Sequence, residues 1–208
     1  MPHIHLQVTP ATIKAVAAAP NLKKLDLILP TKCKQTSLAP LENHAKLEKL
    51  TLVFEGFHAI RLPLSLPNLK HLSLTACKWT YFNWAQLVTR TTSYLRLKTL
   101  TIVDEYDSGG VNRSDISSLS CNCLIGALHS GLLRGGKSGH EDGTDNENGV
   151  LIIERIGRRS PLWAERRSLG HLIQMCKTDF CVTIDVRDEE AMNSVHVGTD
   201  NLDDPLEW

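Results

Sequence analysis

Residues Asn68–Cys77 read "NLKHLSLTAC", and the spacing of the leucines in this stretch is where the prediction of the fold begins. Leu72 and Leu74 alternate with polar side chains, which is typical of a β-strand that buries one face and exposes the other. Leu69 lies three residues before Leu72, so the core of the stretch is L-x-x-L-x-L. We therefore predict a strand here whose leucines point into a core.

The same pattern occurs in three other segments, "NLKKLDLIL", "KLEKLTLVF" and "RLKTLTIVD", with Ile102 as the single exchange. The four copies start at Leu22, Leu47, Leu69 and Leu97, at intervals of 25, 22 and 28 residues. A unit of this length holds one strand and one return segment, and it cannot bury its own apolar face. We expect the units to stack, so that their strands form a parallel sheet over a shared leucine core.

Other strands and return segments extend this pattern along the chain. A weaker copy, "HIHLQV", opens the chain, and two late strands are predicted in "VLIIERI" at 150–156 and "FCVTIDV" at 180–186. Helical or irregular return segments are predicted at 11–19, 80–90, 116–133 and 160–176. We predict an array over residues 1–186 that contains a disordered insertion at 137–149, followed by an acidic tail at 187–208.

With these phrases, above all "PNLKKLDL" and "LPNLKHLSLTACKW", the chain resembles the irregular leucine-rich-repeat region of fungal F-box-like proteins and of the wider ribonuclease-inhibitor-like group. The resemblance covers residues 1–104 well and 150–186 poorly, and it does not include the F-box itself. It implies an α/β fold, a short irregular leucine-rich-repeat solenoid with parallel strands on the concave side and helices or loops on the convex side. It also implies the substrate-recognition part of a ubiquitin-ligase receptor.

The x residues of the motifs point away from the leucines, and stacking aligns them in columns on the open wall. The predicted partner-binding residues are His3, Lys24, Lys49, His71 and Thr99 in one column and His5, Asp26, Thr51, Ser73 and Thr101 in the next. The first column is basic, which suits an acidic protein partner. A solvated sheet face with lysines for solubility is the alternative interpretation. Lys14 and Lys46 are predicted to lie in return segments.

Charge is unevenly distributed, although the formal net charge is zero. Residues 1–104 hold 13 Lys and Arg against 5 Asp and Glu, and residues 105–208 hold 10 against 18. The acidic half argues against a nucleic-acid partner. No apolar run reaches the roughly 18 residues that a membrane span needs. We expect a cytoplasmic or nuclear protein without a membrane partner; the oligomeric state stays open.

The segment "GLLRGGKS", residues Gly131–Ser138, fits the phosphate-loop pattern G-x-x-x-x-G-K-[ST] and supplies an alternative function, nucleotide binding through Lys137. A phosphate loop needs a strand before it and a helix after it. Here the preceding residues read as the end of a helix, with Gly135 and Gly136 as terminators, and the following ones have no apolar face. We therefore favour the protein-interaction hypothesis. A truncated repeat fragment without independent function is a third hypothesis.

No motif in the sequence supports catalysis, so we expect no enzyme, no cofactor and no metal site. Cys121 and Cys123 form a C-x-C pair without a second pair of zinc ligands at a suitable spacing. In the absence of a secretory signal, the six cysteines are expected to be free thiols.

Overall fold

The computed structural model describes the chain in segments, and most of them belong to one parallel sheet. The described residues are 5–29, 35–42, 44–54, 59–75, 86–87, 94, 96–105, 118–133, 149–156, 163–180 and 182–188. Among these residues, no helix combines the length and the apolar character that crossing a membrane requires.

Nine strands lie within the described residues. Their bounds are β1 His5–Gln7, β2 Lys24–Leu29, β3 Gln35–Ser37, β4 Lys49–Phe54, β5 Ala59–Arg61, β6 His71–Thr75, β7 Thr99–Glu105, β8 Val150–Ile156 and β9 Thr183–Asp188. Seven of them form one sheet in the order β1-β2-β4-β6-β7-β8-β9, and every neighbouring pair is parallel. The predicted α/β class with a parallel sheet is confirmed.

Strand pairing follows the alignment of the leucine motifs. One row of successive partners across the sheet is Leu25, Leu50, Leu72, Leu100, Leu151 and Ile184. A second row is Leu27, Leu52, Leu74, Ile102, Ile153 and Val186. A shift of one residue would turn a whole strand's leucines to the other face, so the burial of these rows from β2 to β8 specifies the register of those strands. On β9, Ile184 is half-buried and Val186 is exposed.

The leucines of the motifs form the centre of a continuous core. Leu27, Leu52 and Leu74 have no exposed surface, and the leucines that open the second, third and fourth motifs are also buried. Ile13 from the first return segment belongs to the same cluster. Burial of each leucine side chain contributes about 1.5–3 kcal/mol. The alternation in the sequence therefore accounts for which face of the sheet is inside.

A second, two-stranded parallel sheet lies in the return segments, where β3 pairs with β5. The side chain of Gln86 continues this ladder beyond β5. Its Nε2 donates to the Ile60 carbonyl at 2.7 Å, and its Oε1 accepts from the Leu62 N–H at 3.0 Å. One primary amide thus satisfies two backbone groups that a further strand would otherwise pair.

The helices occupy predicted return segments. Helix α1 spans Pro10–Ala17 and begins at Thr9, whose hydroxyl accepts from the Thr12 N–H at 3.0 Å. Helix α2 spans Ser118–His129, and α3 spans Trp163–Met175. Each lies inside or within one residue of a range predicted from the apolar periodicity.

The last strand starts later than the sequence indicated. A π-helical turn, Cys176–Phe180, extends α3 and includes the phenylalanine with which that strand was predicted to begin. Phe180 is buried, and its ring packs edge-to-face on His129 with centroids 4.7 Å apart. Contact with α2 therefore keeps Phe180 out of the sheet, and β9 begins at Thr183.

Two predicted segments fall largely outside the described residues. Residues 137–148 of the predicted insertion are not among them, but Gly149 is buried, and its carbonyl accepts from the Thr183 N–H at 2.9 Å. The predicted insertion therefore ends before Gly149, because this glycine leads directly into β8. In the predicted tail, residues 187 and 188 belong to β9, and 189–208 lie outside the described residues.

Candidate functional site on the open sheet face

The side of the main sheet opposite to the leucines is here called the open face. Lys24, Lys49, His71 and Thr99 are successive partners across β2, β4, β6 and β7 on this face. Lys24 and His71 are exposed, and the other two are half-buried. Neighbouring strands are about 4.8 Å apart, so the two lysines lie side by side as like charges. His3, predicted to begin this column, lies outside the described residues.

The second predicted column is also in register, with His5, Asp26, Thr51, Ser73 and Thr101 as successive partners. The last four are half-buried, and only the backbone of His5 is described. Asp26 introduces one carboxylate beside the basic column. The structure thus brings together nine of the ten residues predicted to bind a partner, on the strands and in the order that the motifs indicated.

The columns continue on β8 and β9, which the sequence comparison of the leucine motifs did not include. Ile152 and Asp185 extend the second column. Arg187 donates to Asp185 through Nε at 2.8 Å and Nη2 at 2.7 Å, and this bond raises the pKa of Arg187. The last strand therefore adds the Asp185–Arg187 ion pair, which has no net charge, to the open face. The two lysines of the first column lie on β2 and β4.

The charges of three lysines act on His71. Its pKa is lowered, first by burial and then by the charges of Lys49, Lys70 and Lys98, while Glu48 opposes the shift. A lowered pKa keeps the imidazole neutral at pH 7, so His71 contributes hydrogen-bonding groups here and no further charge. The pKa of His71 thus depends on Lys49 within a strand and on Lys70 and Lys98, which directly precede two strands. The charges at the starts of the strands therefore influence a residue of the open face.

A cleft crosses the sheet where the strands begin, and basic side chains dominate it. Its volume is about 390 Å³, and it is lined by Lys23, Ala45, Lys46, Glu48, Asn68, Lys70 and Arg96. We call this group the basic edge. Its members directly precede β2, β4, β6 and β7, so the cleft spans four neighbouring strands. The lining carries four cations against the one carboxylate of Glu48.

Side-chain hydrogen bonds between consecutive units hold the basic edge in position. Lys46 Nζ donates to Asn21 Oδ1 at 2.6 Å, and Arg96 Nη1 donates to Asn68 Oδ1 at 2.7 Å. Asn68 Nδ2 in turn donates to the Ala45 carbonyl at 2.5 Å. Asn21, Lys46, Asn68 and Arg96 occupy the same position in the four motifs, so an asparagine anchors the basic side chain of the unit that follows it.

The backbone at this edge repeats as regularly as the side chains. The Lys23 carbonyl accepts from the N–H groups of Glu48 and Lys49 at 2.8 and 3.0 Å. The Glu48 carbonyl accepts from Lys70 and His71 at the same two distances, and the next unit repeats the arrangement. These carbonyls, each of which accepts two hydrogen bonds, hold each strand start against the previous one, which limits how far the charged side chains can separate.

Lys46 lies in a return segment, as predicted, because β4 begins only at Lys49, but its place at the basic edge was not predicted. It directly precedes the first leucine of the second motif and lines the basic edge, because its partner Asn21 holds the equivalent place one unit earlier. The signal was present in the sequence as the polar residue before each L-x-x-L, namely Asn, Lys, Asn and Arg in turn. It was missed because only the x positions inside the strands were aligned.

Comparison with known proteins adds no relative. No family model, curated protein or solved structure matches the chain. The open face and the basic edge are therefore assigned from geometry and charge.

The phosphate-loop-like segment begins at the end of a helix. Gly131 has a φ of 101°, the Leu132 N–H bonds to the Ala127 carbonyl at 2.9 Å, and the Gly131 N–H bonds to the Leu128 carbonyl at 3.0 Å. This pattern terminates α2 with a left-handed glycine. The helix thus ends earlier than the predicted terminators Gly135 and Gly136, which lie outside the described residues. A helix C-terminus presents carbonyl oxygens, which repel phosphate.

The C-x-C pair has no third metal ligand grouped with it among the described residues. Cys121, Cys123 and Cys176 are free thiols, and within the described part of the chain no three His, Cys, Asp or Glu residues are grouped as metal ligands. Burial raises the pKa of both Cys121 and Cys176 to about 11. These two thiols therefore stay protonated at neutral pH, and a thiolate is the form that binds zinc or reacts.

Proposed function

We propose that the chain is a non-catalytic protein-interaction module whose open face binds an acidic protein partner. The observation that carries the proposal is the column of Lys24 and Lys49, two like charges on adjacent strands of the open face. An acidic partner relieves their repulsion on binding, which gives this face both orientation and a fast association rate.

A short, irregular leucine-rich-repeat solenoid is the architecture that we propose for this module, with the open face on its concave side. Strands that follow chain order without reversal support it, because a doubly wound sheet reverses its order at a switch point. The parallel pairing of β3 with β5 supports it as well, since the return segments of two units then stack in the same sense as their strands.

The resemblance to the repeat region of F-box-like proteins makes the proposal more specific. We propose that the chain acts in the cytoplasm or nucleus as the substrate-recognition part of a ubiquitin-ligase receptor. This part of the proposal rests on the phrases of the leucine motifs and on fold-level analogy. This part of the proposal is tested by asking whether the recovered partner is degraded through ubiquitin.

The test is a comparison of two charge-reversed double variants. Lys24→Glu with Lys49→Glu alters the open face, and Lys14→Glu with Lys177→Glu makes the same change of net charge at exposed sites on α1 and the π-helical turn. Each tagged protein is used for affinity capture from cell extract, and the association rate of a partner recovered by the wild type is then measured at two salt concentrations.

We expect the face variant to slow association about tenfold and to weaken its salt dependence, because steering by complementary charge is a long-range effect. The control variant should bind within about twofold of wild type. Capture that is lost in the control variant and retained in the face variant would show that partners bind elsewhere.

A further inference from the structure

The basic edge is a second charged surface, distinct from the open face, and hydrogen bonds orient two of its cations. Lys70 Nζ lies 3.3 Å from the Glu48 carboxylate, and this is an exposed ion pair. Lys23, Lys46 and Arg96 have no carboxylate within salt-bridge distance among the described residues. Lys46 and Arg96 are held by asparagine side chains, which orient them without neutralising their charge.

The dimensions of the cleft match an extended peptide. Four neighbouring strand starts span about 14 Å, three spacings of 4.8 Å, and an extended chain covers that distance with four to five residues at about 3.3 Å each. Alternate side chains of such a peptide project to one side at roughly 6.7 Å intervals, within the reach of flexible lysines on neighbouring strands. Acidic residues at alternate positions of such a peptide would thus lie within reach of these cations.

The composition of the lining favours a peptide over a nucleic acid. None of the seven lining residues is aromatic, and single-stranded nucleic acids are bound by base stacking on aromatic side chains together with basic grooves. Glu48 would also lie against a phosphate backbone that crosses the middle of the cleft, whereas a peptide can place an amide or hydroxyl group there. The lining is therefore complementary to a peptide that has acidic residues opposite the cations and an uncharged residue opposite Glu48.

We infer that the basic edge binds an acidic segment of a protein partner, about four to five residues long, which runs across the starts of β2, β4, β6 and β7. The inference rests on the proposed function for the choice of a protein as the source of this segment. It assigns Lys23, Lys46 and Arg96 as carboxylate-binding residues and Asn21 and Asn68 as positioning residues.

The test uses the full chain and a fluorescein-labelled peptide, Gly-Asp-Glu-Asp-Glu-Asp-Gly, measured by fluorescence anisotropy at low salt. The edge variant is Lys46→Gln with Arg96→Gln, which removes two charges and keeps hydrogen-bond donors for the asparagines. Lys14→Gln with Lys177→Gln is the matched control for net charge, and Lys24→Gln with Lys49→Gln is the face variant. Thermal unfolding of each variant confirms that it is folded.

We expect the edge variant to weaken peptide binding about tenfold or more, while the control variant stays within about twofold. The isosteric peptide with Asn and Gln should not bind. In the wild type, the bound peptide should raise the pKa of His71, measured from its NMR signals, because it brings negative charge close to Lys70, one of the lysines that lower that pKa.

Five results would overturn the inference, and four of them concern the peptide or the cleft itself. They are binding of the uncharged peptide with equal strength, an equal loss in the edge and control variants, tighter binding of an oligonucleotide of equal charge, and peptide binding that appears only after removal of residues 189–208. The last result would show that residues 189–208, which are acidic, occupy the cleft in place of a partner. Loss confined to the face variant would also reject the edge, but it would leave the proposed function intact.

Discussion

Gly149 packs directly against the main-chain carbonyl oxygen of Leu133, and no space remains between them for a β-carbon. Leu133 itself has a φ of 62°, a left-handed conformation that is unfavourable for a leucine. Its side chain is buried in the core, which offsets that cost. The contact brings Leu133, which follows α2, against Gly149, which precedes β8. It explains why a glycine stands directly before β8.

Replacement of this glycine should therefore be costly. We expect Gly149→Ala to lower the free energy of unfolding by about 2–3 kcal/mol, because the new methyl group overlaps backbone atoms that cannot move independently. Gly170→Ala is the matched control: it lies in α3 with no atom within 4 Å of the added carbon. It should stabilise the protein by about 0.5–1 kcal/mol through helix propensity. Urea unfolding midpoints measure both changes in stability. If both substitutions stabilised the protein, or both destabilised it, the contact between Gly149 and Leu133 would be contradicted.

The edge of the small sheet depends on the amide of Gln86. Gln86→Glu keeps the acceptor for the Leu62 N–H but places a carboxylate oxygen against the Ile60 carbonyl. We expect it to destabilise the fold by about 1–3 kcal/mol at pH 7. Gln174→Glu, the same change at an exposed position of α3, should cost less than about 0.5 kcal/mol. Chemical denaturation at pH 7 compares the two, and similar losses would show that Gln86 does not pair with β5.

The titration of His71 reports the lysines around it. We expect NMR to give a pKa below 6.5, since burial and then Lys49, Lys70 and Lys98 disfavour the imidazolium. Lys49→Gln should raise this pKa, whereas Lys14→Gln on α1 should leave it where it is. Because unfolding restores the ordinary pKa, the unfolded chain takes up the proton first as the pH falls. His71 therefore contributes stability above about pH 6.5 that is lost as the pH falls toward its folded pKa. A pKa above 6.5 in the wild type would refute this environment.

The buried thiols make a prediction for alkaline pH. Burial raises the pKa of Cys121 and Cys176 from 9.0 to about 11, so the folded protein retains thiol protons that the unfolded chain releases. The stability contributed by these groups is present below pH 9 and is lost as the pH rises toward 11. In Cys121→Ala with Cys176→Ala, the decline of stability between pH 9 and 10.5 should be shallower than in wild type. The cavity cost is the same at each pH, so equal slopes for the two proteins would contradict the raised pKa values.

Local sequence was sufficient for the strands of the main sheet and for the side of that sheet that their residues occupy, whereas β3 and β5 were not predicted. Successive side chains of a strand point to opposite faces, so Leu25 and Leu27 face the core and Lys24 and Asp26 face outward whatever their neighbours are. The repeated spacing then gave the partners across β2, β4, β6 and β7, because equivalent positions of stacked units pair. The late strands lack the motif, which is why the beginning of β9 was predicted three residues too early.

The basic edge depended on contacts between units. Lys46 meets Asn21 only when two units have stacked, and no periodicity within either unit indicates that bond. Gln86 likewise satisfies β5 from another unit, and its amide could have served a solvent-exposed helix equally well. The inward leucines and the outward columns could therefore be predicted from the sequence, since both follow from the two-residue period of a strand. The polar side chains that meet at the starts of the strands, and the glycine that leaves room for the Leu133 carbonyl, could not be predicted in this way, because these contacts form when distant segments pack.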